Sequence, residues 1–283
     1  MEGLQKLKDK IFESDIVYGV EIGVIGGSGF YSLLDGAEDV SVETPYGKPS
    51  AKITMGKIGG KNVAFLPRHG VKHEYPPHVI PYMANIWALK TLGVKRIIGA
   101  CAVGSLQPAV QIGDIVVSDQ FVNFTKNRRD TFYDGPLTTH VSPADPYCQE
   151  TRDLAILAGR ELSLRIHDQG TVVVIEGPRF STRAESKFFS DAGWDIINMT
   201  QYPEVILARE LEMCYLNLSL ITDYDVGLQG NSQTKPVSHA DVMKAFSENN
   251  DRLKHMIKNL VPRIPSVRTC DCEHALDGAR LEV

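Results

Sequence analysis

The sequence predicts an α/β fold: a single domain with a central mixed sheet flanked by helices. Three observations predict it. Short apolar runs bounded by turn residues recur at 21–25, 61–66, 97–101, 172–175 and 215–221, and they read as buried strands. Segments of helical spacing at 84–92, 150–164, 205–212 and 237–260 alternate with them. No linker-like composition and no internal repeat divides the 283 residues. With 43% hydrophobic and 23% charged residues, such a chain buries a sizeable core without staples. The expected division is a leader helix over 1–20, the α/β domain over 21–262 and a peripheral tail over 263–283.

The same totals exclude several classes. The net charge is −5, and the one dense basic cluster, Lys126-Asn127-Arg128-Arg129, is too short for a polyanion groove. No nucleic-acid partner is expected. Five cysteines, an odd number, do not suggest a secreted disulfide framework. The first residues mix both charge signs and lack the apolar core of a signal peptide. The longest uncharged run, 97–113, is shorter than a membrane span and holds Gly104 and Pro108. The expectation is a cytoplasmic protein without a membrane partner, with Cys270 and Cys272 as free thiols on a loose tail rather than a strained redox-active disulfide.

Each element then contributes something. In the leader, Leu4, Leu7, Ile11 and Phe12 make one face of a short helix. The strand at 21–25 runs into Gly26-Gly27-Ser28-Gly29, a glycine-rich turn suited to an anion, with the Ser28 hydroxyl joining the backbone amides. It is not a dinucleotide fingerprint, because Ser32 stands where the third glycine belongs, and it lacks the lysine of a P-loop. The strand at 61–66 ends in Pro67-Arg68-His69-Gly70. His73 and His78 follow, but Gly70, Pro76 and Pro77 prevent a helix from aligning the histidines as metal ligands. Arg68 and His69 read instead as an anion clamp, the guanidinium gripping phosphate through its planar fork.

The helix at 84–92 looks amphipathic. The strand at 97–101 enters a small-residue loop, 102–106, where backbone could approach a ligand. The stretch 120–147, with His140 inside it, is polar, lacks periodicity and is long for a loop, which suggests a functional excursion or a subunit contact. The stretch 171–200 reads as buried strand, polar turn, helix and second strand. Its turn is Glu176-Gly177-Pro178-Arg179, followed by Phe180, Ser181 and Thr182, and its far end is Asn198-Met199-Thr200. Pro203 fits the first turn of the next helix. The last buried strand ends in Thr222-Asp223-Tyr224-Asp225, before a glycine- and amide-rich segment typical of a mobile lid. Ser238 is a candidate N-cap for the final helix.

In open α/β sheets, ligands bind beyond the carboxyl ends of the strands. Convergence there would make an anion pocket from Ser28, Arg68, His69 and Thr200. Phe180 and Met199 would form an apolar sandwich with Asn198 as a polar handle, and Asp223 and Asp225 a carboxylate pair. A protonated carboxyl opposite an anion site can donate to a ring nitrogen of a leaving heterocycle, and an ionised one can accept from an exocyclic amine. An exposed turn or part of a magnesium site also accommodates Asp-x-Asp.

Matching stretches span nearly the whole chain: IGGSG, ETPYGKPS, RHG, ANIWALK, GSL, GDIVVSDQF, FYDG, IEGPRFSTRAE, INMT, PEV and TDYD. On these the chain resembles the 5′-methylthioadenosine phosphorylases of the trimeric purine nucleoside phosphorylase family. The resemblance implies a purine nucleoside phosphorylase-like fold and reversible phosphorolysis, giving adenine and 5-methylthioribose 1-phosphate. Inorganic phosphate is then a co-substrate, and no metal or organic cofactor is implied. Ser28, Arg68, His69, Ala102 and Thr200 would bind phosphate with Cys101 beside them. Met199 would lie on the ribose and Phe180 on the base, Asp223 would serve N7 and Asp225 the 6-amino group. His140 would reach a neighbouring subunit's site in a homotrimer. Two positions depart from the pattern. Cys101 replaces a hydroxyl or amide residue beside phosphate, and His239 stands where a small apolar residue often faces the 5′-substituent. Ser181 and His239 are therefore the expected specificity positions. Phosphorolysis of 5′-hydroxyl nucleosides (adenosine, inosine or guanosine), hydrolysis, and non-catalytic purine nucleoside sensing are the alternatives.

Overall fold

The computed structural model describes residues 19–27, 34–136, 138–226, 228 and 238–280, without the side chains of His239 and Asp241. The expected leader helix, Ser28 and the segment 229–237 lie outside the described residues. In chain order the elements are β1 (Ile22–Gly26), β2 (Asp35–Val40), β3 (Ile53–Ile58), β4 (Lys61–Pro67), α1 (Tyr82–Thr91), β5 (Arg96–Ser105), β6 (Ile115–Val117), β7 (Gln120–Phe124), α2 (Gln149–Glu161) and β8 (Ile166–His167). They continue with β9 (Thr171–Ile175), α3 (Arg183–Asp191), β10 (Ile196–Asn198), α4 (Gln201–Glu210), β11 (Cys214–Tyr224) and α5 (His239–Leu260).

The strands form one mixed sheet in the order β2-β3-β4-β1-β5-β10-β9-β7, with β11 on the other flank of β5 and β6 and β8 beyond it. Alternate residues of the central strands face opposite layers, as the period of two requires. Ile25, Ile97 and Tyr215 pack with Ile86 and Leu89 of α1 and Val205 and Ala208 of α4. Val24, Ile98 and Leu216 pack on the other face with Ala155 of α2 and Leu253, Met256 and Ile257 of α5. The predicted single α/β domain with a mixed sheet is observed.

β5 organises the site. Its first half pairs with β1 as far as Ile25↔Gly99, and its last residues pair antiparallel with β10, from Ile197↔Gly104. The carboxyl ends of β1 and β10 therefore point at each other along one edge of β5. They leave the stretch between Gly99 and Gly104 without a strand partner on that edge. A notch of unpaired backbone is thus built into the middle of a buried strand, and such groups need partners of another kind.

Several expectations are corrected. Ala102 and Gly104 belong to β5 itself rather than to a loop, because β11 carries its ladder through to Ser105. The polar stretch at 120 opens as β7, paired parallel with β9. β2 and β3 escape pattern reading because β2 (DGAEDV) is exposed along most of its length. α1 is buried from Tyr82 to Leu89 rather than amphipathic, since it is covered by α4 as well as by the sheet. The tail is not loose. Arg96 donates to the Val267 carbonyl (3.1 Å), the Thr269 hydroxyl to Glu150 (2.7 Å) and Arg268 to the Glu212 carbonyl (2.7 Å), while Ile264 and Cys272 are buried.

Candidate active site

Along β5, residues from Ala100 to Ser105 meet groups expected at the site, Ala100 and Ala102 on the notched edge and Gly104 and Ser105 beside β11. The Ala100 carbonyl accepts from Arg68 Nη1 (2.8 Å). The Cys101 thiol lies 3.6 Å from the Thr200 hydroxyl. The Ala102 carbonyl accepts weakly from Asn198 Nδ2 (3.4 Å). Gly104 faces Asp223, and the Ser105 carbonyl accepts from the Asp225 amide (3.0 Å). At about 3.3 Å per residue, the interval from Cys101 to Gly104 is about 10 Å. The structure thus brings Arg68, Cys101, Ala102, Asn198, Thr200, Asp223 and Asp225 together along one strand.

Arg68 is buried at 2% exposure, and its fork is spent inside the protein. Nε and Nη2 donate to the two carboxylate oxygens of Glu204 (2.8 and 2.9 Å), and Nη2 also approaches the Ile25 carbonyl (3.4 Å). Among the described residues, one Nη1 hydrogen is left for a ligand. The expected bidentate clamp is therefore corrected to a single aimed N–H carrying a full positive charge. Glu204 is wholly buried in the first turn of α4, where a carboxylate is favoured by the helix dipole, and it also accepts from Tyr215 (2.6 Å). Glu204 and Tyr215 were missed at the sequence level. The signal was Gly99, where a Cβ would meet the Tyr215 hydroxyl at 2.4 Å.

His69 Nδ1 pairs with the Tyr75 carbonyl (2.8 Å), and its ring stacks on His73 at 4.3 Å between centroids. Cys101 is buried, and its sulfur accepts from Asn217 Nδ2 (3.4 Å). Below it runs a closed polar ladder, with Ser219 donating to Asn217 (2.8 Å), Gln201 to Ser219 (2.9 Å) and Tyr147 to Gln201. Asn198 Oδ1 accepts from the amides of Thr200 (2.6 Å) and Gln201 (2.7 Å). Those bonds make Asn198 the support of the Met199-Thr200 turn through Oδ1. Arg128, also missed, holds the same turn from outside by donating to the Met199 carbonyl (3.0 Å) and the Glu176 carbonyl (2.7 Å).

The turn after β9 is set by a capping box. Thr182 accepts from the Glu185 amide (3.2 Å), and the Glu185 carboxylate accepts from the Thr182 amide (2.8 Å) and from Arg179 (2.7 and 2.8 Å). Phe180 stands at 37% exposure beside it. Met199 Sδ lies 2.7 Å from where a Cβ on Gly177 would project, so glycine (φ +66°) is needed for that approach.

Asp223 owes its position to a β-bulge. The register of β11 shifts between Ile221 and Asp223, which sets Asp223 opposite Gly104 instead of Ser105. A Cβ on Gly104 would come within 2.9 Å of Asp223 Oδ1. Burial pushes the Asp223 carboxyl up to about 6; the Thr222 hydroxyl at 2.9 Å works against this, and the Asp225 charge adds to it. Asp225 is raised too, again by burial first, with the Ser186 hydroxyl, the Val226 amide and the Ser181 hydroxyl opposing. Its Oδ2 finds no partner of good geometry among the described residues.

His140 is exposed, and its amide donates to the Ala279 carbonyl (2.8 Å), so the excursion is tied to the tail. His239 begins α5. Among the described residues, the histidines form no metal-ligating group. Cys270 and Cys272 are free thiols, as expected, but they do not sit on a loose tail: with Cys148 and Cys214 they form the cluster that, among the described residues, could hold a metal.

An α/β protein with a cationic notch and a neutralisable carboxyl at its far end has the layout of an enzyme that pairs an oxyanion with a leaving base. The chain belongs to the phosphorylase superfamily, whose family model matches residues 21–262. It is 52% identical over 256 residues to the S-methyl-5′-thioadenosine phosphorylase of Pyrococcus horikoshii, covering 90% of this chain and 97% of that one. It is 47% identical over 268 residues to a purine nucleoside phosphorylase of Streptomyces coelicolor, covering 91% and 96%. A methylthioadenosine phosphorylase from an antarctic soil metagenomic library superposes with a TM-score of 0.87 at 42% identity, covering 93% of each chain.

Proposed function

We propose that this enzyme carries out reversible phosphorolysis of 5′-methylthioadenosine, giving adenine and 5-methylthioribose 1-phosphate. The single observation that carries the reading is Asp223, a carboxyl whose burial raises it to about 6 and which a bulge sets about 13 Å along β5 from Ala100, where Arg68 marks the cationic end.

In this reading phosphate sits at the cationic end, with Ser28, Arg68, His69, Cys101, Ala102 and Thr200. Phosphate and nucleoside then meet as held reactants. As the glycosidic bond breaks, positive charge develops on the sugar, and the phosphate dianion beside it is the stabilising counter-charge. Asp223, protonated, gives its proton to N7 of the departing purine, and Asp225 accepts from the 6-amino group. Phe180 and Met199 line the base and ribose, with Ser181 and His239 near the 5′-substituent. A 6-oxopurine would require a donor where Asp225 offers an acceptor, which favours adenine. No metal or organic cofactor takes part.

The assembly that suits this site is a homotrimer with His140 directed at a neighbour, in the cytoplasm. No helix among the described residues is long and apolar enough to cross a membrane.

Adenine release from 5′-methylthioadenosine is expected only with phosphate, with equimolar 5-methylthioribose 1-phosphate. Release without phosphate would make the enzyme a hydrolase, and binding without release a sensor. A higher kcat/KM for inosine would overturn the adenine assignment of Asp223 and Asp225.

A second expectation concerns Cys101. A thiol is a weaker donor than a hydroxyl, and the difference of about 1 kcal/mol corresponds to roughly fivefold in binding. Cys101→Ser is expected to lower KM for phosphate by about that factor with KM for the nucleoside unchanged. Initial rates with each substrate varied in turn would show it, and an unchanged phosphate KM would mean that the side chain does not meet phosphate.

A further inference from the structure

Four of the five cysteines come together far from the notch's chemistry. Cys148 is the N-cap of α2, Cys214 opens β11, and Cys270 and Cys272 flank Asp271 in the tail. Their sulfur atoms all lie within 4.8 Å of one another, with Cys214 and Cys270 at 3.4 Å. Cys148, Cys214 and Cys272 are buried and pack as one cluster, with Cys270 half-buried against it.

Four sulfurs from three chain segments converge on a common centre rather than in two pairs. Cys214 contacts each of the other three, and Cys148 contacts both Cys214 and Cys272. A disulfide needs a separation of about 2.05 Å, and pairing the four would leave the remaining contacts without purpose. A tetrahedral ion with metal–sulfur bonds of about 2.3 Å sets its ligands about 3.8 Å apart along every edge, so small rotations of these side chains suffice.

The surroundings suit the charge. Four thiolates on a divalent cation carry a net charge of −2. The Thr151 amide is directed at the Cys148 sulfur at the start of α2, while its hydroxyl donates to the Cys148 carbonyl (3.0 Å), and the Cys272 amide is directed at Cys270. The Arg268 guanidinium lies close enough to Cys214 to interact with it electrostatically while donating to the Glu212 carbonyl (2.7 Å), and its side chain is 11% exposed. Amide-to-sulfur bonds and a buried guanidinium orient and neutralise a thiolate site.

We propose that Cys148, Cys214, Cys270 and Cys272 bind one zinc-class divalent cation as a tetrahedral thiolate site that fastens the tail to the start of β11 and to α2. Binding converts four thiols to thiolates and releases their protons to solvent, and no electrons move. With all four positions filled by protein, the site is structural and holds no open position for substrate.

The test uses the full chain purified with reductant. Mass spectrometry of the desalted protein is expected to find one zinc per chain. After chelation under reductant, titration with Cd2+ is expected to raise a thiolate-to-cadmium charge-transfer band that saturates at one ion per chain. Cys272→Ser should lower the metal content at least fivefold and the melting temperature by about 5 °C, whereas Cys101→Ser should leave the metal content unchanged. If Cys272→Ser does not fold, the Cd2+ titration of the unmodified chain decides alone. No cadmium band, or a metal-free chain whose non-reduced mass shows two disulfides, would overturn the proposal. Neither result bears on phosphorolysis, which is assayed separately.

Discussion

Asp223→Asn is expected to lower kcat/KM for 5′-methylthioadenosine by about 10²–10⁴ while making the unliganded protein more stable above pH 6. Both effects follow from one displaced equilibrium. The folded protein holds the Asp223 proton up to about pH 6, against an ordinary value of 3.8. Between those values the native state binds more protons than the unfolded chain, so stability falls as pH rises through that window and stays constant above it. The accumulated cost is about 3 kcal/mol at neutral pH. An asparagine of the same shape keeps the acceptor for the Thr222 hydroxyl and carries no charge to desolvate. Urea unfolding of both forms at pH 4, 6 and 7.5 should show little difference at the lowest value and a gain of about 1–3 kcal/mol at the highest. The same proton governs rate. In the free enzyme kcat/KM should decline as pH rises through Asp223's titration near 6, and the Asn form should lose that limb. An Asn variant with full activity would remove the carboxyl from the chemistry. Equal stabilities at pH 7.5 would mean that burial does not hold the proton.

That prediction was half legible before the fold was known. Asp223 and Asp225 stood out because a buried apolar run ended in two carboxylates, and strand ends were where a site was expected. What pattern reading could not supply was the bulge, since a slip of one residue in pairing leaves no trace in composition, yet it turns Asp223 towards Gly104. The notch was hidden for a related reason. Ala102 and Gly104 look like loop residues, and only the head-to-head meeting of β1 and β10 shows why small residues lie within a strand. The cysteine cluster depends on contacts between Cys148 and the tail, more than a hundred residues apart in sequence, which no local window joins. The elements that were read well are those whose own burial pattern is one-sided or complete, such as β9, β11 and α5. Those missed, β2 and β3, take their place from neighbours.

Glu204→Gln should have the largest effect of any change that leaves the notch's own surface intact. Glu204 is wholly buried and receives both arms of the Arg68 fork as well as the Tyr215 hydroxyl. Glutamine preserves the shape but turns one acceptor into a donor facing a guanidinium N–H, so Arg68 keeps its charge in the interior without a counter-charge. Breaking a buried pair in this way costs about 3–5 kcal/mol of stability. The kinetic consequence should be selective. Glu204 is a positioning residue that acts through the one Nη1 hydrogen Arg68 has left to aim, so KM for phosphate should rise about tenfold or more, with KM for the nucleoside nearly unchanged. Glu204→Asp retains the charge at a shorter reach and should recover part of the phosphate affinity. A uniform fall in kcat with both KM values intact would instead assign Glu204 to scaffolding alone. Tyr215→Phe provides the internal control, because it removes one donor to Glu204 and leaves the ion pair whole. Its effect on phosphate KM should be smaller than that of the charge-removing change, since the guanidinium is fixed by the carboxylate and only trimmed by the phenol. The order Gln, then Asp, then Phe in phosphate KM is what a buried counter-ion requires, and no scheme in which Arg68 is held by its backbone partners alone produces it.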